Sequence, residues 1–384
     1  MAKIVHVMTV PESLVFLRGQ VAFMREHGHE LSVITSPGEG LGAFAAREKV
    51  PAYALAMPRK ITPLMDLHSV ASLTALLRRL RPDIVHAHTP KGGLLGMLAA
   101  SAAGISARIY HQRGLPMETA QGLKRALLAS TERVSCGLAH TVIAVSPSLR
   151  SLVISQGLCR EDKLRVLAGG SGNGVDAAGR FAPKTVGLHA RALIREELNI
   201  AHDAPVVGFI GRLVRDKGVC ELAQAWATVR EACPDAVLLV VGPYEPRDPV
   251  PAAIRAQLES DPRVRMTGHR KDIPQLHAAM DVLALPTYRE GFPNVLLEAG
   301  AMERPVVSTR VTGCIDAVRD GVTGLLVPAR DSAALADALT RYLQDPALRS
   351  EHGLAARAHV LEHFASERIW AALEATYREV LAAR

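Results

Sequence analysis

The sequence predicts an α/β protein made of two Rossmann-like, doubly wound parallel-sheet domains that face each other across a cleft. Three observations support this fold class. Short apolar runs that suit buried strands alternate with longer segments that suit helices. The alternation stops once, in a segment over residues 168–204 that begins with many glycines and small residues, and then restarts. The length of 384 residues also favours two domains over one.

The first half has the pattern of a parallel sheet covered by helices on both faces. Its predicted strands cover residues 3–10, 30–36, 50–57, 83–89, 107–112, 141–145 and 163–167. Its predicted helices cover residues 13–27, 63–80, 91–103, 123–138 and 148–156. Residues 92–107 carry no charge, but this stretch is short for a membrane span and rich in Gly, Ala and Ser. It therefore predicts a closely packed, buried helix.

The second half repeats the pattern. Its predicted strands cover residues 205–210, 236–241, 264–268, 282–285, 305–309 and 325–328. Its predicted helices cover 218–232 and 272–280, and others begin at Pro293, Asp331, Pro346 and Ser366. We predict an N-terminal domain over 1–183 and a C-terminal domain over 184–365. The last segment, 366–384, is long and amphipathic, which suits a helix that packs back onto the first domain.

The charge is unevenly distributed along the chain. The net charge is +7, yet residues 1–184 carry +10, from 22 Lys and Arg against 12 Asp and Glu, and the remainder carries −3. A basic half indicates a polyanionic partner, either phosphates or an anionic membrane surface. Nucleic acid is disfavoured because only 4% of residues are aromatic and can stack on bases. A solvated basic surface without a partner is the alternative.

The five cysteines are scattered, with no CxxC pair and no histidines beside them. This spacing disfavours a disulfide framework and a zinc site, and it indicates a reducing compartment. The N-terminus reads directly into a predicted strand and lacks the long apolar segment of a signal peptide. We therefore expect an intracellular protein.

The segment PTYREGFPNVLLEAGAM, residues 286–302, predicts a strand end, a turn and a buried helix. Glu298 is the one charge on that helix, and a pair of ligand hydroxyls would satisfy it. Glu290 precedes it in the turn. Backbone N–H groups at the helix start, around Gly291, Phe292, Asn294 and Val295, suit a phosphate or a polyol. The alternative is that Glu290 is solvated and Glu298 pairs with an arginine.

A second chemical segment follows the strand over 206–210. Arg212 and Lys217 lie on either side of a strand-to-helix turn, where two cations and a helix N-terminus could hold a diphosphate leaving group. An ion pair between Arg212 and Asp216 is equally compatible with the sequence. There is no GxGxxG before a helix, no Walker A loop and no GxSxG. There is also no DxD pair to chelate a metal, so cationic side chains would carry the diphosphate.

In the first half, polar residues follow two neighbouring predicted strands. His86 and His88 end one strand, and Lys91 opens the next helix; His111 and Arg113 end the following strand. The carboxyl ends of parallel strands are where such sheets bind ligands, so Lys91, His111 and Arg113 could line the cleft and suit a phosphate-bearing acceptor. For any single histidine, a structural role is the alternative.

Together these segments resemble glycosyltransferase family 4, a large family of retaining enzymes with the GT-B fold. EGFPNVLLEA matches the family's E-x7-E signature through Glu290 and Glu298, and Gly211-Arg212 with Lys217-Gly218 matches its donor diphosphate motif. Further matches are the linker motif NGVD with Phe181 and the glycine and aspartate pattern over 313–325. The stretches HTPKGGLLGMLAA and YHQRGLP resemble the subgroup that builds bacterial capsule, O-antigen and exopolysaccharide repeats.

The resemblance implies a retaining transferase that needs no metal or cofactor. It would move a hexosyl or N-acetylhexosaminyl unit from a nucleotide-diphosphate donor, UDP above all, to a glycan or polyprenyl-diphosphate acceptor. It would lie on the inner face of the cell membrane. Its catalytic residues would be Glu290, Arg212 and Lys217, and the acceptor would meet Lys91, His111 and Arg113. The residues implied to bind the donor are Glu298, Gly291, Phe292, Asn294, Val295 and, near the nucleobase, Arg270.

The chain departs from the family pattern at two places. The loop after the first strand is Pro11-Glu12-Ser13 where many members have a glycine pair, and Arg113 stands where many have histidine. Two other functions fit the resemblance. One is a relative that epimerises a UDP-sugar at C2 without an acceptor. The other is a glycan- or nucleotide-binding protein without turnover, although such a protein has no need of Glu290, Arg212 and Lys217 together.

Overall fold

The computed structural model describes residues 1–187, 189–246 and 248–383. Leu188, Arg247 and Arg384, which fall within the predicted domain ranges, lie outside the described residues. The chain divides into two compact units, which we call the first unit (Met1–Gly174 with Ser366–Arg384) and the second unit (Val175–Ala365). Residues 175–183 thus belong to the second unit, because Val175 pairs with Ala365 and Phe181 packs into the second core.

The described strands of the first unit form one parallel sheet in the order β3-β2-β1-β4-β5-β6-β7. They are β1 (Ala2–Val7), β2 (His29–Thr35), β3 (Ala52–Ala54), β4 (Ile84–His88), β5 (Ala107–Gln112), β6 (Thr141–Ala144) and β7 (Leu164–Val166). The helices between them are α1 (Gln20–Glu26), α2 (Glu39–Glu48), α3 (Pro63–Leu80), α4 (Pro90–Ala102), α5 (Gly122–Leu138) and α6 (Pro147–Ser155).

The second unit has a parallel sheet in the order β10-β9-β8-β11-β12-β13, again within the described residues. Its strands are β8 (Val206–Ile210), β9 (Val237–Val241), β10 (Val264–Gly268), β11 (Val282–Leu285), β12 (Val306–Thr309) and β13 (Gly324–Val327). Its helices are α7 (Pro183–Val186), α8 (Ala190–Glu197), α9 (Val219–Ala232), α10 (Ala252–Ser260), α11 (Ile273–Ala279), α12 (Asn294–Ala301), α13 (Cys314–Ala317), α14 (Ser332–Gln344) and α15 (Pro346–His363). The last helix of the chain, α16 (Ser366–Ala382), belongs to the first unit.

Both sheets are the predicted doubly wound type, so the predicted fold class is confirmed. In each sheet the strand order reverses beside the first strand, between β1 and β4 and between β8 and β11. The crossovers leave in opposite directions at that point, and the loops after the two strands separate. This is where doubly wound sheets bind ligands.

The structure corrects the predicted elements near the N-terminus. The first strand ends at Val7 and not at residue 10, and a 3₁₀ turn, Pro11–Leu17, replaces the first part of the predicted helix over 13–27. Gly19 interrupts that helix with φ of 75°. A Cβ on Gly19 would lie 2.6 Å from the indole ring of Trp370 on α16, so the C-terminal helix requires a glycine there. Helices α2, α7, α8, α10 and α13 were not predicted.

Helix α4 matches the predicted closely packed helix, with glycines along the side that meets the sheet. A Cβ at Gly96 would lie 2.6 Å from the Cβ of Ala87 on β4. Gly137 is also helical, near the end of α5, but a Cβ there would have no neighbour within 4 Å. Substituting the two glycines with alanine therefore distinguishes the effect of close packing, present only at Gly96, from the effect of helix propensity, present at both.

We predict that Gly96→Ala lowers the free energy of unfolding by about 1–3 kcal/mol, because the new methyl group overpacks the contact between α4 and β4. Gly137→Ala should raise it by up to about 1 kcal/mol, because alanine loses less backbone entropy in a helix than glycine. Urea unfolding followed by circular dichroism measures both. A stabilising Gly96→Ala would show that α4 does not pack this closely on the sheet.

Candidate active site

The candidate active site of the second unit is formed by two loops that follow β8 and β11, the strands beside the reversal of strand order. A 3₁₀ turn over Arg215–Lys217 lies in the first loop, immediately before α9. The second loop, residues 286–293, leads into α12. Both loops therefore leave the carboxyl edge of the sheet at the place where doubly wound domains bind ligands.

Gly218 allows the two loops to come together. Its φ is 70°, and a Cβ there would lie 1.9 Å from the carbonyl oxygen of Pro286 in the other loop. Any side chain would force the loops apart. Gly313, in the loop between β12 and α13, has a similar role, because a Cβ on this glycine, with φ of 78°, would lie 2.4 Å from the carbonyl oxygen of Gly291. The start of α12 is thus held between two neighbouring loops.

Hydrogen bonds fix the second loop to the first. The hydroxyl of Thr287 and the backbone N–H of Tyr288 both donate to the carbonyl oxygen of Asp216, at 3.0 and 2.8 Å. The guanidinium of Arg289 pairs with the carboxylate of Asp216 at 2.9 Å. The Tyr288 hydroxyl donates to the carboxylate of Glu221 on α9, at 2.6 Å. These contacts hold the two loops together at the carboxyl edge of the sheet.

The structure brings together two of the predicted catalytic residues. The ammonium of Lys217 and the carboxylate of Glu290 form an ion pair, and their side chains are 22% and 13% exposed. Each charge satisfies the other in a partly buried setting where an unpaired charge would be unfavourable. Glu290 is therefore paired and mostly buried, and the alternative of a solvated Glu290 is wrong.

Arg212 lies apart from that pair. Its guanidinium bonds to the carboxylate of Glu245, in the loop after β9, and its side chain is half exposed. The alternative partner considered from the sequence, Asp216, pairs with Arg289 instead. Glu245 was missed in the sequence because it is distant along the chain and belongs to no motif. Its position follows from the pairing of β8 with β9, through which Leu213 also bridges to Tyr244.

Helix α12 begins at Asn294 with Pro293 as its N-cap, one residue later than predicted. Glu298 is a quarter exposed and lies 4.0 Å from the Nε2 atom of His277 on α11, and none of the described arginines forms an ion pair with it. His277 is fully buried, and neither ring nitrogen has a hydrogen-bond partner among the described residues. Sequence reasoning missed His277, because only the packing of α11 against α12 reveals it.

Two further groups around this site have shifted pKa values. Arg270 bonds to Asp272 at 2.6 Å and to Glu197 at 2.5 Å, and these hydrogen bonds raise its pKa. Its charge is therefore compensated at the position predicted to lie near a nucleobase. Burial, together with the nearby Glu290 carboxylate, raises the pKa of the Cys314 thiol to about 12. This thiol stays protonated and unreactive at neutral pH.

The predicted acceptor residues of the first unit have three different settings. Lys91, in the first turn of α4, bonds to the carboxylate of Asp66 at 2.7 Å and to the carbonyl oxygen of Lys60. His111 is 1% exposed, a burial that suits the structural role left open for it in the sequence. Arg113 is partly exposed and donates to the Nδ1 atom of His88, at 3.1 Å from its Nη2.

One histidine cluster has the composition of a metal site. His6, His86 and His88 each offer a ring nitrogen, and these atoms lie within 4.8 Å of one another. They belong to β1 and β4, which pair with His6 opposite His86. The sequence showed the alternation of His86 and His88, but His6 joins them only through the strand order.

In the described part of the chain, no helix combines the length and apolar composition of a membrane span.

The known proteins to which this chain is similar are glycosyltransferases. The family model described as "Glycosyl transferase 4-like domain" matches residues 15–170, and "Glycosyl transferases group 1" matches residues 204–345. The chain is 34% identical over 379 residues to "Capsular polysaccharide biosynthesis glycosyltransferase CapM" of Staphylococcus aureus, covering 99% of this chain and 97% of that protein. It is 27% identical over 293 residues to "UDP-Gal:alpha-D-GlcNAc-diphosphoundecaprenol alpha-1,3-galactosyltransferase" of Escherichia coli, covering 76% of this chain and 74% of that protein.

Among solved structures, Anabaena Alr3699/HepE in complex with UDP and glucose aligns with a TM-score of 0.81 and 22% identity. The alignment covers 99% of this chain and 100% of that one, so the whole fold is shared. The two family models lie on the two parallel-sheet units, and the CapM match runs through both. The chain belongs to glycosyltransferase family 4, as its E-x7-E segment indicated.

Proposed function

We propose that this glycosyltransferase moves a hexosyl or N-acetylhexosaminyl unit, with retention of configuration, from a UDP-sugar to a polyprenyl-diphosphate-linked or glycan acceptor in bacterial surface polysaccharide synthesis. One observation carries the proposal. The ion pair of Lys217 with Glu290 places a cation and a carboxylate at the start of α12, where a phosphate and a sugar hydroxyl each find an opposite partner.

The chemistry follows from these groups. A diphosphate that takes Lys217 as its partner leaves Glu290 to accept hydrogen bonds from the hydroxyls of the transferred sugar. Arg212, in the same loop as Lys217, adds a second cation once the diphosphate displaces Glu245. The backbone N–H groups of Gly291, Phe292, Asn294 and Val295 then face the developing negative charge at the start of α12. Glu298, a quarter exposed on the same helix, accepts from the ribose hydroxyls.

The transfer step forms a bond from the acceptor oxygen to the anomeric carbon and breaks the bond from that carbon to the donor phosphate. The acceptor proton passes to the departing phosphate oxygen. The new bond forms on the face from which the phosphate leaves, so the configuration is retained. The lysine and arginine stabilise the charge that appears on the diphosphate, and the mechanism uses no metal ion.

The acceptor class is supported by the Escherichia coli relative, whose name specifies a diphosphoundecaprenol-linked substrate. In the first unit, Arg113 is the predicted contact for such a phosphate, with Lys91 on the neighbouring loop. A lipid-linked acceptor also requires the enzyme to reach a membrane. We therefore propose that the first unit binds the cytoplasmic face of the cell membrane peripherally.

The start of α3 suits that contact. Leu64 and Leu67 are 86% and 69% exposed, one helical turn apart, and exposed Ile61 and Met65 lie beside them. The preceding Lys60 is also exposed. Apolar side chains that enter the interface, with basic residues that attract anionic lipid, are the two elements of peripheral binding.

UDP release tests the proposed reaction. We expect release from a UDP-hexose or UDP-N-acetylhexosamine only when a polyprenyl-diphosphate-linked sugar is added, and the rate should not change in excess EDTA. The anomeric configuration of the product is read by NMR. Conversion of the UDP-sugar without acceptor would establish an epimerase. Binding without either reaction, across a panel of donors and acceptors, would establish a binding protein.

Removing either cation of the donor site should slow turnover. We predict that Lys217→Ala and Arg212→Ala each lower kcat by about 10²–10³, because each removes one group that stabilises charge on the leaving diphosphate. Arg230→Ala is the matched control, because Arg230 lies at the end of α9 and pairs with Asp261. Unchanged kcat in both site variants would refute the diphosphate role.

Binding to vesicles with anionic lipid should depend on the start of α3. We predict that wild-type protein sediments with such vesicles and is released by salt, because salt screens the basic surface. Leu64→Glu with Leu67→Glu should abolish the binding. Leu193→Glu, at an exposed leucine of the second unit, should leave it unchanged. If vesicle binding changes neither with salt nor in the α3 variant, the start of α3 is not the membrane-binding surface.

A further inference from the structure

Four histidines of the first unit lie together on one face of its sheet. His6 on β1, His86 and His88 on β4, and His111 on β5 form what we call the histidine face. Strand register explains it: His6 is opposite His86, His88 is opposite His111, and His86 and His88 are two residues apart on one strand. All four are at most 1% exposed. Successive strand residues alternate between faces, so these four share one.

The four imidazoles are neutral at physiological pH. Burial lowers the pKa of His6 to about 3 and holds the pKa values of His86, His88 and His111 well below 6.5. The nearby guanidinium of Arg113 lowers all four further. A neutral imidazole has one nitrogen that donates and one that accepts, so hydrogen-bond partners determine which is which.

The contacts fix the tautomers of two of these rings. Arg113 can only donate, and its Nη2 and Nε atoms lie 3.1 and 3.3 Å from the Nδ1 atom of His88. Nδ1 of His88 therefore accepts, and the proton of that ring is on Nε2. This Nε2–H lies 2.9 Å from the Nδ1 atom of His6 and donates to it. The proton of His6 is then on its own Nε2.

Arg113 is held without losing its charge. None of the carboxylates in the described residues pairs with it. Its guanidinium lies 4.1 Å from the centroid of the Phe16 ring and donates to the carbonyl oxygen of Gly172 at 3.4 Å. A Cβ on Gly172 would lie 2.0 Å from the Nη1 atom of Arg113, so the absence of a side chain leaves room for it.

We propose that His88, fixed by His6, is a positioning residue that orients Arg113 while leaving its positive charge uncompensated, so that Arg113 binds a phosphate group of the acceptor. A carboxylate in place of His88 would also orient the guanidinium, but it would neutralise it and repel a phosphate. A neutral imidazole that accepts a hydrogen bond gives orientation without neutralisation. This inference rests on the proposed acceptor class.

The same nitrogens could instead bind a metal ion, as their spacing shows. Two observations favour the positioning role. The Nε2 proton of His88 is already shared with His6, and a metal would have to displace it. The guanidinium of Arg113 lies against the same ring, and its charge repels a divalent cation. Metal binding is therefore an outcome that the experiments below must exclude.

Three substitutions at His88 separate orientation from charge. His88→Asn keeps an acceptor, its Oδ1, near the position of Nδ1, and should leave the acceptor KM close to that of wild type. His88→Leu removes the acceptor, and His88→Asp adds a negative charge. Each should raise the acceptor KM by about 10- to 100-fold, the scale of one hydrogen bond to a charged group, with the donor KM unchanged.

The control for loss of a buried imidazole is His86→Leu, because His86 bonds to Tyr377 and not to Arg113. Its acceptor KM should match that of wild type, and circular dichroism should show that all four variants are folded. If His88→Asn is as impaired as His88→Leu, or His88→Asp binds acceptor normally, the positioning role is wrong.

NMR of the full chain with ¹⁵N-labelled histidine tests the geometry without any transfer reaction. His88 and His6 should both carry their proton on Nε2, and Arg113→Met should release His88 from that single tautomer. In the Lys217→Ala background, inorganic pyrophosphate should shift the His88 resonances only while Arg113 is present. A proton on Nδ1 of His88, no pyrophosphate response, or a stoichiometric response of His6, His86 and His88 to ZnCl₂ would overturn the proposal. If the NMR spectra are as expected but the protein transfers no sugar, the proposed function is wrong and the positioning role of His88 stands.

Discussion

The site in the second unit depends on the close approach of two loops at Gly218. The carbonyl oxygen of Pro286 occupies the space that a Cβ would need, and this contact brings the turn containing Lys217 against the loop containing Glu290. The hydrogen bonds from Thr287 and Tyr288 to the carbonyl oxygen of Asp216 join the same two loops. A side chain at residue 218 would separate a lysine and a glutamate that are 73 residues apart in sequence. The ion pair is thus a consequence of backbone packing and not its cause.

The two units hold their cations in opposite ways. In the second unit, Lys217, Arg212 and Arg270 each have a carboxylate partner. A phosphate that binds there must displace a carboxylate, so binding exchanges one ion pair for another and a changed loop conformation can accompany it. In the first unit, Arg113 is held by an imidazole, a backbone carbonyl and an aromatic ring. A phosphate there would gain an ion pair without breaking one, which makes this the more preorganised of the two positions.

The sequence was sufficient to predict the fold class, because both units consist of alternating apolar strands and helices. The resemblance to glycosyltransferase family 4 implied that Lys217 and Glu290 are both catalytic, and the structure pairs these two side chains. The sequence did not predict the side chains from other elements that contact Arg212 and Glu298. Glu245 and His277 stand in no motif, and only the packing of β9 and α11 brings them near Arg212 and Glu298. Gly19 interrupts a predicted helix with a positive φ, and the tryptophan that leaves room only for a glycine there is 351 residues away in the sequence.

The last helix, α16, supplies hydrogen-bond partners to two buried polar side chains of the first unit, His86 and Asn173. Helix α16 places the Tyr377 hydroxyl 2.7 Å from the Nδ1 atom of His86, and the Trp370 indole N–H donates to the side chain of Asn173 at 2.7 Å. Asn173 in turn donates to the carbonyl oxygen of Arg18. The first unit therefore lacks the partner of His86 and one of the partners of Asn173 until α16 has been made. The second unit has its whole sheet and core within Val175–Ala365 and has no such requirement. During synthesis from the N-terminus, the first unit to be made is thus the last to be completed.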